Sequence, residues 1–174
     1  LRTSPYTGVY FIKLDIQPLF AGEQSELSFR GEFGLSGLCG DIVSGVERFS
    51  GTVSDHGGYL ELRANVSLQA KALCARCGEG FGWDYAFETL RPVAQSLDDR
   101  DNDEYIVAED GYIDLKTLFE GETLLELPAK LLCSDDCKGI CPKCGANLNR
   151  ASCSCTGKEI DPRLEVLKAL LNGN

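Results

Sequence analysis

Eight of the nine cysteines in this 174-residue chain come in close pairs. They are Cys74 with Cys77, Cys133 with Cys137, Cys141 with Cys144, and Cys153 with Cys155; Cys39 stands alone. Two sulfurs so close in sequence can reach one ion at about 2.3 Å without straining the backbone between them. Four pairs supply eight thiolates, the requirement of two tetrahedral zinc sites of four cysteines each. A single CxxC is weak evidence, whereas four close pairs in a reducing compartment are strong evidence. In Cys141-Pro142-Lys143-Cys144-Gly145 the glycine lets the chain turn so that its amides face sulfur, as in a zinc knuckle.

Two assignments of pairs to ions are open. The preferred one places Cys141, Cys144, Cys153 and Cys155 in a local site, closing a loop of only 15 residues at small entropic cost. Cys133 and Cys137 then join Cys74 and Cys77. The competing assignment joins Cys74 and Cys77 to Cys141 and Cys144, as in a zinc ribbon. In either case the ions replace hydrophobic core in a segment with few large apolar residues, so its folding should depend on metal.

Other chemistries fit less well. Iron–sulfur binding uses the same ligand type and is the main metal alternative. Thiol–disulfide exchange favours a CxxC at a helix N-terminus after a strand, a setting not evident here. Catalytic zinc keeps an open position and often uses histidine or carboxylate. The one histidine, His56, lies in Asp55-His56-Gly57-Gly58 and reads as a surface turn residue. Cys39, in Gly37-Leu38-Cys39-Gly40, reads as a buried structural thiol, since no base is evident to activate it.

The elements that must position these residues are mostly strands. Residues 10–16, 27–35 and 42–53 read as extended runs. Leu60, Leu62, Ala64, Val66, Leu68, Ala70 and Ala72 then alternate with polar residues. Strict period two over this length is a half-buried strand. The alternation resumes after Cys77 as Phe81, Trp83, Tyr85 and Phe87, so Cys74 and Cys77 are expected at the tip of a long antiparallel hairpin. The aromatics could stack on bases, but their alternation makes core packing the better reading. Ser96 to Asp110 reads as an acidic surface loop flanking a short strand at Tyr105-Ile106-Val107. Asp114 reads as the N-cap of a helix weakened or kinked at Gly121 and ended before Pro128. Asp161-Pro162 caps and starts a terminal helix whose apolar face holds Leu164, Leu167, Ala169, Leu170 and Leu171.

The composition, 43% hydrophobic, supports an ordinary core. The net charge of −10 argues against broad non-specific binding to nucleic acid. The charge is uneven: residues 1–127 hold 22 of the 27 acidic and 10 of the 17 basic residues, leaving the cysteine-rich tail mildly basic. The acidic part would suit a basic partner such as a ribosomal protein, or serve solubility alone. Methionine is absent throughout, and residues 1–9 are expected to be disordered. No basic-then-apolar leader and no 18-residue apolar run are evident, so the expected location is the cytoplasm.

The segment Cys133-Ser-Asp-Asp-Cys137-Lys-Gly-Ile-Cys141-Pro-Lys-Cys144-Gly-Ala-Asn147-Leu-Asn149, with Cys153-Ser-Cys155 and Asp161-Pro162-Arg163-Leu164 after it, resembles the bacterial YceD family, the large ribosomal RNA subunit accumulation proteins. Cys74-Ala75-Arg76-Cys77 and Tyr112-Ile113-Asp114-Leu115 through Leu127-Pro128 extend the resemblance, which runs from about Phe11. It implies a cytoplasmic protein needed for normal accumulation of large-subunit ribosomal RNA, encoded near a zinc-binding large-subunit ribosomal protein. It carries over no enzymatic activity and no RNA-contact residue.

The expected fold class is α+β: a mainly antiparallel β body with a central helix over residues 10–127, then a zinc-knuckle segment and C-terminal helix over 128–174. The expected function is that of a non-catalytic ribosome-biogenesis factor holding two zinc ions. Its partners would be large-subunit precursors or basic ribosomal proteins, with direct RNA contact through Lys138, Lys143 and Arg150. The alternatives are a zinc-stabilised protein–protein adaptor outside ribosome assembly and a thiol redox protein.

Overall fold

The computed structural model describes residues 12–97 and 104–155. Residues 1–9, the acidic stretch 98–103 and the terminal helix expected from Asp161 lie outside the described residues.

Four long strands follow one another as an antiparallel meander: β2 (Glu26–Leu35), β3 (Ile42–Asp55), β4 (Leu60–Leu73) and β5 (Gly80–Ala94). The short β6 (Ile106–Val107) adds to β5 in parallel and completes a five-stranded sheet. Before and beside it, β1 (Lys13–Asp15) pairs antiparallel with β7 (Tyr112–Asp114). A one-turn helix, α1 (Gln17–Phe20), follows β1, and the principal helix α2 (Leu115–Glu126) follows β7. The mainly β, α+β expectation holds at this level; α1 and β7, each one turn or three residues long, are too short to leave a periodic signal.

Register places residues of one parity on one face. The row Leu35, Gly45, Ala70, Trp83 and the row Gly31, Phe49, Val66, Phe87 point to the core, as do Phe29, Gly51, Ala64 and Thr89. Each row mixes large and small side chains, and the glycines make room for rings. A Cβ on Gly31 would stand 2.6 Å from the Phe49 ring, and one on Gly51 would stand 2.8 Å from that of Phe29. Phe29, Phe33, Phe49 and Phe119 form a continuous aromatic contact, with the rings of Phe49 and Phe119 centred 4.6 Å apart.

Helix α2 supplies Phe119 to that cluster. Leu115, Phe119 and Thr123 are its buried positions, four residues apart and therefore on one face. The Asp114 carboxylate accepts hydrogen bonds from the amides of Lys116 and Thr117, the expected N-cap. The helix runs unbroken through Gly121. It stops before Pro128, where Leu127 adopts the extended backbone that a following proline favours.

The aromatic stripe of β5 packs against the core, half-buried rather than fully enclosed, with Trp83 and Tyr85 stacked at 5.3 Å. His56 lies exposed in the β3–β4 turn, where the Asp55 carboxylate accepts from the Gly58 amide and both glycines have positive φ. Cys39 is a free thiol, partly buried against the core.

Candidate metal centres

The β4–β5 hairpin ends in a knuckle. The Cys74 amide donates to the Glu79 carbonyl, the Gly78 amide donates to the Cys74 carbonyl, and Gly78 has φ 70°. The same pattern recurs in the tail. The Cys141 amide donates to the Ala146 carbonyl, the Gly145 amide to the Cys141 carbonyl, and Gly145 has φ 73°. Each knuckle thus turns on a glycine directly after its second cysteine, which needs no Cβ at positive φ.

The tail reaches the hairpin tip through backbone contacts. Leu131 is buried in the main core, and its carbonyl accepts from the Ala75 amide. The Arg76 guanidinium donates to the carbonyls of Asp135 and Cys137 and so holds the 133–137 turn. Gly139, at φ 74°, passes close beneath Arg76: a Cβ there would stand 3.1 Å from the Arg76 carbonyl oxygen.

These contacts gather Cys74, Cys77, Cys133 and Cys137 into one cluster, and the local loop gathers Cys141, Cys144, Cys153 and Cys155 into a second; in each, all four sulfurs lie within 4.8 Å of one another. This is the first of the two groupings anticipated from spacing; the ribbon-like grouping is not the one formed. The Sγ–Sγ separations are 3.7 Å for Cys74–Cys137 and 3.8 Å for Cys77–Cys133. A tetrahedron with metal–sulfur bonds of about 2.3 Å has edges of about 3.8 Å, so the sulfurs stand where one ion would need them. All nine cysteines are free thiols.

The clusters differ in exposure. Cys74, Cys77 and Cys137 are buried and Cys133 is exposed; in the second cluster Cys141 is buried, Cys153 intermediate, and Cys144 and Cys155 exposed.

Their electrostatics also favour a cation. Burial works to raise the Cys74 thiol, but amides of Cys133, Cys77 and Arg76 outweigh it and bring it down to about 6. The amides of Cys144 and Lys143 bring Cys141 down to about 6. Within the same clusters the neighbouring Cys137 sulfur pushes Cys133 up to about 12, and Cys144 pushes Cys155 up to about 12. Each cluster therefore readily gives up its first proton and resists giving up its last. A divalent ion reverses that resistance, since its charge lets neighbouring thiols ionise together.

Several residues around the sulfurs carry no signal in cysteine spacing. Asn149 Nδ2 donates to the Cys137 sulfur at 3.2 Å, and Asn149 Oδ1 accepts from the Lys138 amide at 2.7 Å. Asn147 and Arg150 both reach Glu79 on the first knuckle. Two asparagines lying between two cysteine pairs were the available clue, because a side-chain amide can donate to sulfur while its oxygen fastens a turn. Lys138, Lys143 and Arg150 are all exposed, and Arg150 forms an ion pair with Glu79 at 2.8 Å.

Among the described residues, no helix is long and apolar enough to cross a membrane. No solved structure matches the chain. A chloroplast protein of Arabidopsis thaliana described as Large ribosomal RNA subunit accumulation protein YCED homolog 1 is 49% identical over 37 residues, which are 21% of this chain and 12% of that protein. Uncharacterized protein YlbN of Bacillus subtilis (strain 168) is 35% identical over 80 residues, 45% of this chain and 46% of that protein. The alignments thus span less than half the length of either relative. The family described as Large ribosomal RNA subunit accumulation protein YceD matches residues 62–171, a stretch that takes in most of β4, all of β5 and α2, and both cysteine clusters. With more than half of its length inside that match, the chain belongs to the YceD family.

Proposed function

We propose that the chain is a non-catalytic, zinc-binding cytoplasmic factor that supports accumulation and processing of 23S ribosomal RNA during assembly of the large ribosomal subunit. The observation that carries this reading is the family match over residues 62–171, which encloses all eight paired cysteines.

The chemistry supports a structural role for the ions. Four thiolates saturate a tetrahedral zinc and leave no position for a water or substrate. Cys74, Cys77, Cys133 and Cys137 would hold one ion, and Cys141, Cys144, Cys153 and Cys155 the other. The first would fasten the tail to the hairpin tip, the second would close the knuckle loop. The acidic body would face basic ribosomal proteins of a large-subunit precursor, and the exposed cations of the tail would lie against its RNA.

Sedimentation of the tagged chain in lysate, with sequencing of co-purifying RNA, tests the reading. Migration with large-subunit precursors carrying unprocessed 23S ribosomal RNA is the expected result. Migration as free protein, with no precursor RNA enriched after gentle crosslinking, would overturn it and favour an adaptor outside ribosome assembly. Reversing the charge of Lys138 and Lys143 together should lower the RNA recovered; unchanged recovery would remove the tail from the RNA contact.

A further inference from the structure

We infer that the two cysteine centres form one coupled unit, in which the Asn147–Asn149 arm of the second centre sets how tightly the first holds its ion. The inference rests on the reading of both clusters as metal sites.

The arm lies between Cys144 and Cys153, inside the loop that the second cluster closes. From there Asn149 crosses to the first cluster and donates to the Cys137 sulfur at 3.2 Å. Its other amide atom is fixed by the Lys138 amide, and the Asn149 amide is in turn fixed by Asn147 Oδ1 at 3.0 Å. Asn147 Nδ2 reaches Glu79 on the opposite knuckle. The bridge Ile140↔Asn147 and the Leu148 amide bonded to the Gly139 carbonyl hold the loop in place below. An N–H aimed at a metal-bound thiolate takes up part of its negative charge and favours the ionised, ligating form.

An ion in the second centre holds the arm in place, so losing it releases Asn149 from Cys137. By linkage, an ion in the first centre strengthens the second by the same factor.

Asn149→Asp tests the coupling without changing a ligand. It is isosteric and keeps the oxygen that the Lys138 amide bonds, but puts an oxygen where the N–H met sulfur. Zinc release from the full chain into the chromophoric chelator 4-(2-pyridylazo)resorcinol gives one rate per centre. The Cys144→Ser/Cys155→Ser chain, with only its first centre intact, releases in a single phase and gives the rate of that centre without coupling. N149D is expected to speed release from the first centre by about 10–100-fold. Breaking the second centre should speed it similarly in the native chain and add little in the N149D background. In the cobalt(II)-loaded chain, N149D should also move the sulfur-to-cobalt charge-transfer band to longer wavelength, which a purely structural role would not do. Native release rates and an unshifted band in N149D would overturn the coupling while leaving both metal sites standing. A native chain that binds no metal would overturn both.

Discussion

Glu47 lies wholly inside the protein, on the core face of β3 between Phe33 and Leu68. Thr123 of α2 donates to its Oε2 at 3.0 Å, while its Oε1 has no hydrogen-bond partner among the described residues. Burial pushes its carboxyl up from 4.5 to about 7; the Thr123 hydroxyl opposes that shift and the charge of Glu120 adds to it. The folded state keeps this proton between pH 4.5 and about 7, where the unfolded chain has released it. Stability should therefore fall as pH rises through that window, by about 3 kcal/mol in all. Glu47→Gln keeps the acceptor for Thr123 and has no proton to lose. Its advantage over the native chain in urea midpoints should grow from pH 5 to 7 and level off above. Parallel pH profiles for the two proteins would remove the charge on Glu47 from the stability balance.

Glu47 also shows where residue-level reading stops. The run Ile42–Val53 reads as extended, but its apolar residues do not alternate regularly. A register shift between Ile42 and Ser44 changes which side chains face inward. Ile42 is buried and Val43 is 56% exposed in consequence, while Glu47 shares the parity of Phe49 and Val53 and faces the core despite its charge. A bulge depends on how a strand meets its neighbour, which one strand's own residues do not record. The asparagines behind the sulfurs were hidden for a similar reason, since Cys137 lies 12 residues from Asn149 and Glu79 lies 68 from Asn147.

The elements were legible in proportion to the length of their periodic signal. Strands β4 and β5 alternate over 14 and 15 residues and pair from Leu60↔Val93 to Leu73↔Gly80, so a slip of one residue would turn every apolar side chain outward. Helix α2 was marked at both ends, by Asp114 and by Pro128, and its twelve residues suffice for three buried positions. Its docking rests on one large side chain and a set of polar contacts. Phe119 fills the space over Phe29 and Phe49, and Phe119→Ala should cost about 3–5 kcal/mol in denaturant unfolding. Asp114→Ala should cost about 1 kcal/mol, by freeing two amides that its carboxylate holds. Glu122 meets Arg91 and Thr89 on β5 in a pair whose side chains are 12% and 23% exposed for Glu122 and Arg91. Glu122→Gln should retain more stability than Glu122→Ala, because its amide oxygen still accepts from Arg91 and its Nε2 can donate to the Thr89 hydroxyl.

At the scale of the molecule, the sheet and α2 make a conventional core, whereas the described part of the tail, residues 128–155, has little of one. Among the described residues after Leu131, the buried ones are Cys137, Gly139 and Cys141, and the contacts that order this stretch converge on sulfur. Two ions would then act as the tail's core, and their removal should separate the two parts in stability. Cys74→Ser/Cys77→Ser is expected to leave the sheet's circular-dichroism signal in place while making residues 128–155 sensitive to brief proteolysis. Equal resistance of the tail in the variant and native chains would show that it packs without metal. The body's fold and the grouping of the cysteines were both within reach of the sequence, because alternation and spacing are local. The crossing from one centre to the other through Asn149 was not, because it exists only once both loops are closed.

Native mass spectrometry of the intact chain, purified without added metal or chelator, tests the metal centres most directly. The expected mass is that of the chain with two zinc ions, falling to one in the Cys74→Ser/Cys77→Ser variant and in the Cys144→Ser/Cys155→Ser variant. A native chain free of metal, or one carrying iron with sulfide, would contradict the assignment of the two four-cysteine clusters to zinc.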